Sequence, residues 1–410
     1  MNRKQFVILL VLVAVLGGAA LVLYKKENKS WTGGGQTAGR KLFADFQVND
    51  VAHIVIKQGT NELNLVKKDD LWRVRERGDY AANFSEISGV LLKLRDLKVV
   101  QSEKVGPSQL PRLELAAGQG TNSSTVVELR DSGEKVIKSL SLGKKHMKKS
   151  NRPSPMGDIG DEGWPDGRYV MIGGSSDSVV LISEPLANIE PKPDQWLNKD
   201  FVKVEKVRSV AVTFPNATNS WKLDRETETG EWKLADAKPE EKLDSAKASG
   251  VSNPLSSPSF VDVMIGASPE QTGLDKPNLI AIETFDNFAY TVKVGTKTND
   301  NYPFTMSVAA TLSKERTPGK DEKAEDKEKL DKEFTEKQKK LEEKLTQEKA
   351  FEKWTYLVSG WTVDSLLKER SQLLTEKKEE KKDEEKDKPE AKNGEPKPDD
   401  KPADVKKDEN

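Results

Sequence analysis

The sequence contains no cysteine and only two histidines, His53 and His146. The absence of cysteine excludes disulfide bonds, cysteine nucleophiles, cysteine-ligated zinc, iron–sulfur clusters and the lipid anchoring that requires a cysteine after a signal sequence. A Ser-His-Asp triad or a multi-histidine metal site would have to use one or both histidines. The sequence also lacks a phosphate loop and the HExxH and GxSxG motifs. We therefore predict a protein that is not an enzyme, with no catalytic residues and no cofactor.

The charges of the chain nearly cancel, because it has 67 Lys and Arg residues and 68 Asp and Glu residues. No net basic field exists to attract nucleic acid, so we predict no nucleic-acid partner. Only 35% of residues are hydrophobic, below the globular average, which indicates that part of the chain never enters a core. Residues 376–410 fit that description, since their only apolar side chains are Ala391, Ala403 and Val405, and we predict a disordered charged tail.

The one long hydrophobic run lies at the N-terminus, from Phe6 to Tyr24, after Arg3 and Lys4. As a helix it would be about 28 Å long, close to the thickness of a bilayer core. We interpret residues 1–24 as a single-pass signal anchor in the inner (cytoplasmic) membrane, with the N-terminus inside and the body on the periplasmic or extracytoplasmic side. The small residues "GGAA" leave a cleaved signal peptide as the alternative. Residues 25–42 then form a flexible, glycine-rich tether.

A segment near the start of the body recurs later in the chain. The first copy, "DFQVNDVAHIVI", begins at Asp45, and the second, "DFVKVEKVRSVAV", begins at Asp200. Both are followed by two short segments of strand composition, in which Trp72 and Trp232 hold the same place. The predicted elements then keep the same order, which indicates a duplicated unit.

Each unit is predicted to contain many strands and few helices. In the first, Asn83 and Glu86 suit a capping box before a helix with one apolar face, formed by Ile87, Val90, Leu91 and Leu94. In the second, Pro254 removes a backbone donor, so the matching helix should be shorter or broken. The fold class predicted is α+β, with two tandem units of mainly antiparallel sheet, residues 43–199 and 200–375, each with one or two helices.

The second unit carries a Lys/Glu-rich insertion, residues 313–352. Its charges are interleaved in pairs such as Glu333–Lys337, and a narrow apolar stripe runs through it, formed by Leu330, Phe334, Leu341 and Leu345. We predict an inserted, mostly solvated helix. A coiled-coil contact with a partner is the alternative, although the stripe is short for a coiled coil.

Three groups of polar residues are candidate sites. His53 lies inside a strand where the second unit has Ser209, which favours a structural role. A basic cluster surrounds His146 and suits contact with an anionic lipid or polysaccharide surface; its members are Lys144, Lys145, Lys148 and Lys149. A Gly/Pro-rich loop gathers the oxygen ligands of a weak calcium candidate: Asp158, Asp161, Glu162 and Asp166.

Several of these motifs together resemble a known family. They are the N-terminal anchor, the "DF…V…V..I.I" opening, the "W.V" strand, the capped "I..VL..L" helix and the "QWLNKDF" bridge before the second opening. This combination resembles the bacterial envelope proteins grouped as domain of unknown function 4340, over most of residues 43–312 and 353–375. The resemblance implies an accessory component of gliding-motility-type ABC transport systems and carries over no catalytic residues. The Lys/Glu insertion and the tail depart from the family pattern.

Three functions are consistent with the sequence. The first is a non-enzymatic, membrane-anchored envelope protein that serves an ABC-type transport or gliding-motility-like complex, with membrane-protein subunits as partners. The second is a carboxylate-dependent hydrolase of envelope glycans, which would need two facing acidic residues. The third is a scaffold that uses the inserted helix as a partner-binding coiled coil.

Overall fold

A computed structural model describes residues 38–116, 123–148, 163–173, 179–319 and 322–375. The predicted anchor, residues 25–37 of the predicted tether and the predicted disordered tail lie outside these ranges. Among the described helices, none is long and apolar enough to cross a bilayer. The described chain up to Leu374 forms one compact unit.

The first half of the body forms a nine-stranded sheet in which every neighbouring pair is antiparallel. The strand order across the sheet is β4-β3-β2-β1-β6-β7-β8-β9-β5. Its strands are β1 (His53–Gln58), β2 (Asn61–Lys68), β3 (Leu71–Val74), β4 (Tyr80–Ala81), β5 (Val99–Glu103), β6 (Thr125–Arg130), β7 (Val136–Lys148), β8 (Trp164–Ile172) and β9 (Val179–Ile182).

The second half forms an eight-stranded antiparallel sheet with the order β12-β11-β10-β14-β15-β16-β17-β13. Its strands are β10 (Val207–Thr213), β11 (Trp221–Asp224), β12 (Lys233–Leu234), β13 (Phe260–Met264), β14 (Asn278–Thr284), β15 (Phe288–Val294), β16 (Asn301–Ala310) and β17 (Thr355–Ser359). Taken in their order across the sheet, from β12 to β13, these eight strands correspond to β3, β2, β1, β6, β7, β8, β9 and β5 of the first sheet.

The strand register supports the same correspondence. Ile54 of β1 lies opposite Leu65 and Leu129, and Val210 of β10 lies opposite Leu223 and Ile282. Alternating burial explains why the sequence specifies this register. In β15, for example, every second residue from Phe288 to Val294 is buried, and a shift of one residue would expose that whole set. The prediction of an α+β fold built on two antiparallel sheet units is confirmed.

The helices are α1 (Phe84–Asp96), α2 (Ser245–Ser249), α3 (Pro269–Thr272), α4 (Ala324–Lys349) and α5 (Gly360–Val363). The Asn83 side chain caps α1 by accepting hydrogen bonds from the backbone N–H groups of Ser85 and Glu86. The buried face of α1 consists of the four residues that the sequence predicted. The matching helix α2 has five residues against thirteen in α1, as expected from the proline that follows it.

Helix α4 lies between β16 and β17, where the insertion was predicted, but its C-terminal half is docked on the second sheet. Leu341 and Leu345 pack against the core, and the Glu348 side chain is buried among Tyr290, Lys203 and Lys344. Most residues of the helix are exposed, as expected for a mostly solvated helix, and the exception is the side of its C-terminal half that faces the sheet. Two of the four apolar residues considered for a coiled coil, Leu341 and Leu345, therefore make an intramolecular contact.

The two sheets share one continuous hydrophobic core. At their junction Tyr80 packs edge-to-face against Phe260, Trp354 and Tyr356, with ring centroids 5.9, 5.1 and 6.1 Å away. Beside this cluster the Arg77 guanidinium donates two hydrogen bonds of 2.7 Å to the Asp262 carboxylate. The aromatic contacts and the ion pair both join the first half of the chain to the second.

The chain is tied to the first sheet before the predicted start of the first unit at residue 43. The backbone N–H of Gly39 donates to the carbonyl of Val99, and the N–H of Leu42 donates to the carbonyl of Leu97. Phe43 and Phe46 then enter the core. The end of the predicted tether therefore runs along the edge strand β5.

Candidate functional site

The first sheet has a second covered face, on the side opposite α1. Met171 and Val179 belong to a small separate cluster with Val105 and Leu115, whereas the neighbouring residue Val170 belongs to the main core. Successive side chains of a strand point to opposite faces. The segment after β5, which includes a 3-10 helix at Pro107–Leu113, therefore covers the second face.

A glycine allows this covering segment to approach strand β7 closely. A Cβ atom on Gly143 would collide with the backbone carbonyl of Leu113. Gly295 holds the same place in the second sheet, where a Cβ would collide with the carbonyl of Thr272. The approach places the 3-10 helix next to the basic residues that follow Gly143.

Those basic residues lie on a strand. Strand β7 continues to Lys148, because His146 and Lys148 pair with Gly167 and Trp164 of β8. The basic cluster around His146 is therefore held on a paired strand up to Lys148.

A concave groove of about 630 Å³ opens between the 3-10 helix and the β7–β8 hairpin. We call it the basic groove. Its charged lining consists of Arg112, Lys144 and Lys145, with His146 and Tyr169 beside them. No carboxylate oxygen of the described residues lies within 4.0 Å of the charged groups of Arg112, Lys144 or Lys145. Lys148 is exposed at the end of the same strand, and Lys149 lies outside the described residues.

Among the described residues, Asp166 is the acid in contact with this group. Its Oδ1 atom lies 2.6 Å from Nδ1 of His146, whose ring meets Tyr169 edge-to-face at 6.4 Å. The other three residues of the calcium candidate, Asp158, Asp161 and Glu162, fall outside the described ranges. Within those ranges no group of three or more acidic or histidine side chains is placed to hold a metal ion.

His53 lies away from the groove, in a polar network in which His53 and Asn64 are buried. Its Nδ1 atom is 2.7 Å from a carboxylate oxygen of Glu134, and its Nε2 atom is 2.9 Å from Oδ1 of Asn64. The Asn64 amide nitrogen donates to Glu62 and Glu76, which fixes the amide oxygen toward the histidine. The hydrogen bond from His53 is the main reason that the pKa of Glu134 lies below its usual value. The expectation of a structural histidine is supported by these contacts.

At the equivalent place in the second sheet, the positive charge is paired with a carboxylate of the same chain. Lys297 follows Gly295 as Lys145 follows Gly143, but its ammonium group lies 3.7 Å from the Asp364 carboxylate and over the Tyr302 ring. The Tyr302 hydroxyl donates to the same carboxylate at 2.9 Å, and burial raises the pKa of Tyr302 to about 12. The first sheet alone therefore presents cations without a described carboxylate partner at this place.

Sequence reasoning found the lysines of the basic groove but missed Arg112 and Tyr169. Neither residue is near the lysine cluster in sequence, and only the pairing of β7 with β8 and the packing over Gly143 bring them together. The two matching glycines in the repeats were the available signal, since a glycine at the same place of both units indicates a close backbone approach.

Comparison with known proteins adds a family. Residues 158–277 match the family model described as Domain of unknown function (DUF4340). This stretch of the chain is therefore similar to the DUF4340 family. The match confirms the resemblance to that family for residues 158–277. The DUF4340 match runs from β8 and β9 of the first sheet through β13 of the second, and therefore spans the connection between the sheets. No curated protein and no solved structure matches the chain.

Proposed function

We propose that this chain is a non-enzymatic, membrane-anchored envelope protein that serves as an accessory or binding component of an ABC-type transport or gliding-motility-like complex. The basic groove is the observation that supports it. Three exposed cations, Arg112, Lys144 and Lys145, converge on a concavity without a described carboxylate partner. Unpaired convergent charge attracts and orients an oppositely charged partner.

The body suits such a role because it is held together as one piece. The junction residues Tyr80 and Phe260 belong to one core, and the Arg77–Asp262 ion pair ties the sheets beside them. A groove on a rigid support binds without first having to be ordered. The apolar run from Phe6 to Tyr24 would hold this body at the outer side of the cytoplasmic membrane.

The proposal is tested on the full chain in its native membrane. The protein should remain in the membrane pellet after washing with high salt or carbonate, and the body should be digested by protease only when the outer side is accessible. Solubilised in mild detergent, it should co-purify with subunits of a membrane transport complex. Recovery in the soluble fraction, or purification without any such subunit, would contradict the proposal.

A matched pair of variants connects this experiment to the groove. Lys145→Glu should reduce co-purification, because it places a negative charge among the cations. Lys93→Glu makes the same charge change on the exposed side of α1 and should leave co-purification unchanged.

A further inference from the structure

We infer that the basic groove binds a phosphate ester, an inference that rests on the proposed role of the groove as a contact surface. The ligand class follows from two properties of the lining: the type of its cations and the presence of an apolar wall beside them.

The cations suit a multiply charged oxyanion. Arg112 comes from the 3-10 helix, whereas Lys144 and Lys145 come from β7, so they approach the groove from different elements. A guanidinium offers a planar fork of donors that matches phosphate, and ammonium groups add point charges that hold it. Asp166 opposes this charge only at His146, which it contacts at 2.6 Å.

Apart from the polar Gln109, the remaining lining is apolar or aromatic. Leu113, Met147 and Tyr169 border the groove next to the cations, and Met147 is 40% exposed. An inorganic anion would leave these side chains in water. A phosphate ester would place its charged group on the cations and its organic part against this wall, which removes apolar surface from water. A lipid headgroup and a soluble phosphate ester share this chemistry.

The test uses the full-length protein in nanodiscs of zwitterionic lipid. Glycerol phosphate and inorganic phosphate are titrated separately by calorimetry. In a second arm, vesicles of phosphatidylglycerol or of phosphatidylcholine are floated with the loaded nanodiscs. Saturable binding of glycerol phosphate that is tighter than that of inorganic phosphate supports a soluble ester. Capture by phosphatidylglycerol vesicles alone supports a lipid headgroup.

Three variants decide whether the groove is responsible. Lys144→Glu should weaken binding about tenfold or more, because a charge-assisted contact is replaced by repulsion. Lys93→Glu, with the same charge change on α1, should leave it unchanged. Asp166→Asn should tighten binding about twofold or more, because it removes the negative charge that contacts His146 beside the cations. Damage to the fold would weaken binding in every variant, so tighter binding in Asp166→Asn together with weaker binding in Lys144→Glu would identify the groove as the binding site.

The inference is overturned by the absence of saturable binding in both arms, by equal loss in Lys144→Glu and Lys93→Glu, or by weaker binding in Asp166→Asn. Failure of the proposed function is a separate result, because it would appear in membrane fractionation and co-purification while the calorimetric binding of glycerol phosphate persisted.

Discussion

His53 and Ser209 hold the same place in the two sheets, but only the histidine organises a network around it. Its two ring nitrogens face the oxygen atoms of Glu134 and Asn64, both of which are acceptors in the observed arrangement. Ser209 instead makes one longer contact, 3.3 Å, with Glu283. The two residues therefore occupy equivalent strand positions, but their side chains make different hydrogen bonds.

Replacing His53 by the residue of the other repeat tests this difference. His53→Ser should lower the free energy of unfolding by about 1–3 kcal/mol, because Asn64 and Glu134 lose their common partner and the Asn64 amide is buried. Urea denaturation measures the loss. Ser209→Ala is the matched control and should cost clearly less, and an equal cost would contradict a special role for the histidine network.

At the scale of elements, a buried carboxylate helps to hold the C-terminal half of α4 to the second sheet. Glu348 accepts hydrogen bonds from the Tyr290 hydroxyl at 2.8 Å and from the Lys203 backbone N–H at 3.2 Å, and Lys344 lies 3.4 Å away. Burial and the nearby carboxylate both raise the pKa of Tyr290, so its hydroxyl stays a donor. These contacts hold the last turns of the helix to the sheet.

Removal of this carboxylate should release the helix end. Glu348→Ala leaves two donors unsatisfied, at a cost of about 1–3 kcal/mol. We expect faster hydrogen exchange in residues 338–349 and little change in the first sheet, as measured by mass spectrometry. Glu342→Ala removes an exposed acid of the same helix and should leave exchange unchanged. Unchanged protection in Glu348→Ala would show that Leu341 and Leu345 suffice for docking.

The closing segment of the second unit is held by an acid-sensitive contact. Arg370 donates to both carboxylate oxygens of Glu241, at 3.1 and 2.7 Å, and these hydrogen bonds lower the pKa of Glu241 to about 2. A carboxyl whose pKa is lower in the folded state stabilises the fold above its unfolded pKa. The contribution is therefore complete above about pH 4.5 and disappears as the pH falls toward 2.

Arg370→Leu should abolish this part of the acid dependence. In urea denaturation between pH 2 and pH 6, the variant should be less stable than the wild type at pH 6, and the difference should shrink as the pH falls. Lys368→Leu, two residues earlier, is the control and should shift stability without this pH trend. A difference that is constant with pH would contradict the assigned ion pair.

The sequence predicted elements better than contacts, for a physical reason. Burial on one face of a strand or helix gives apolar residues a regular spacing within a short stretch of sequence. This spacing predicted the strand at Ile54 and the helical face from Ile87 to Leu94. Contacts between residues that are distant in the chain leave no such spacing. The contacts of Glu134 with His53, of Arg112 with the basic groove and of Glu348 with Tyr290 all belong to that second class.

At the scale of the whole molecule, the junction joins two repeats into one body. The charged pair Arg77–Asp262 is about three-quarters buried, and the Tyr80 ring lies beside it against residues of the second sheet. Burial of Tyr80 raises its pKa to about 12, so it stays neutral through the physiological range. We therefore expect the two sheets to unfold in a single transition.

A double-mutant cycle measures this junction. Arg77→Ala and Asp262→Ala should each lower the free energy of unfolding by about 1–3 kcal/mol, because each leaves a partly buried charge unpaired. The double variant should lose less than the two losses combined, since the partners are then removed together. Additive losses, or two separate unfolding transitions in the wild type, would contradict a joint body.

One connection has a practical use. Neighbouring strands β16 and β17 pair although the whole of α4 is inserted between Ala310 and Thr355, whereas the equivalent strands β8 and β9 are joined directly between Ile172 and Val179. Lengthening a connection between strands that already pair costs little additional entropy. The β8–β9 connection is therefore a natural position for a fluorescent reporter domain, which would let the intact protein be followed in cells with both ends of the chain left unmodified.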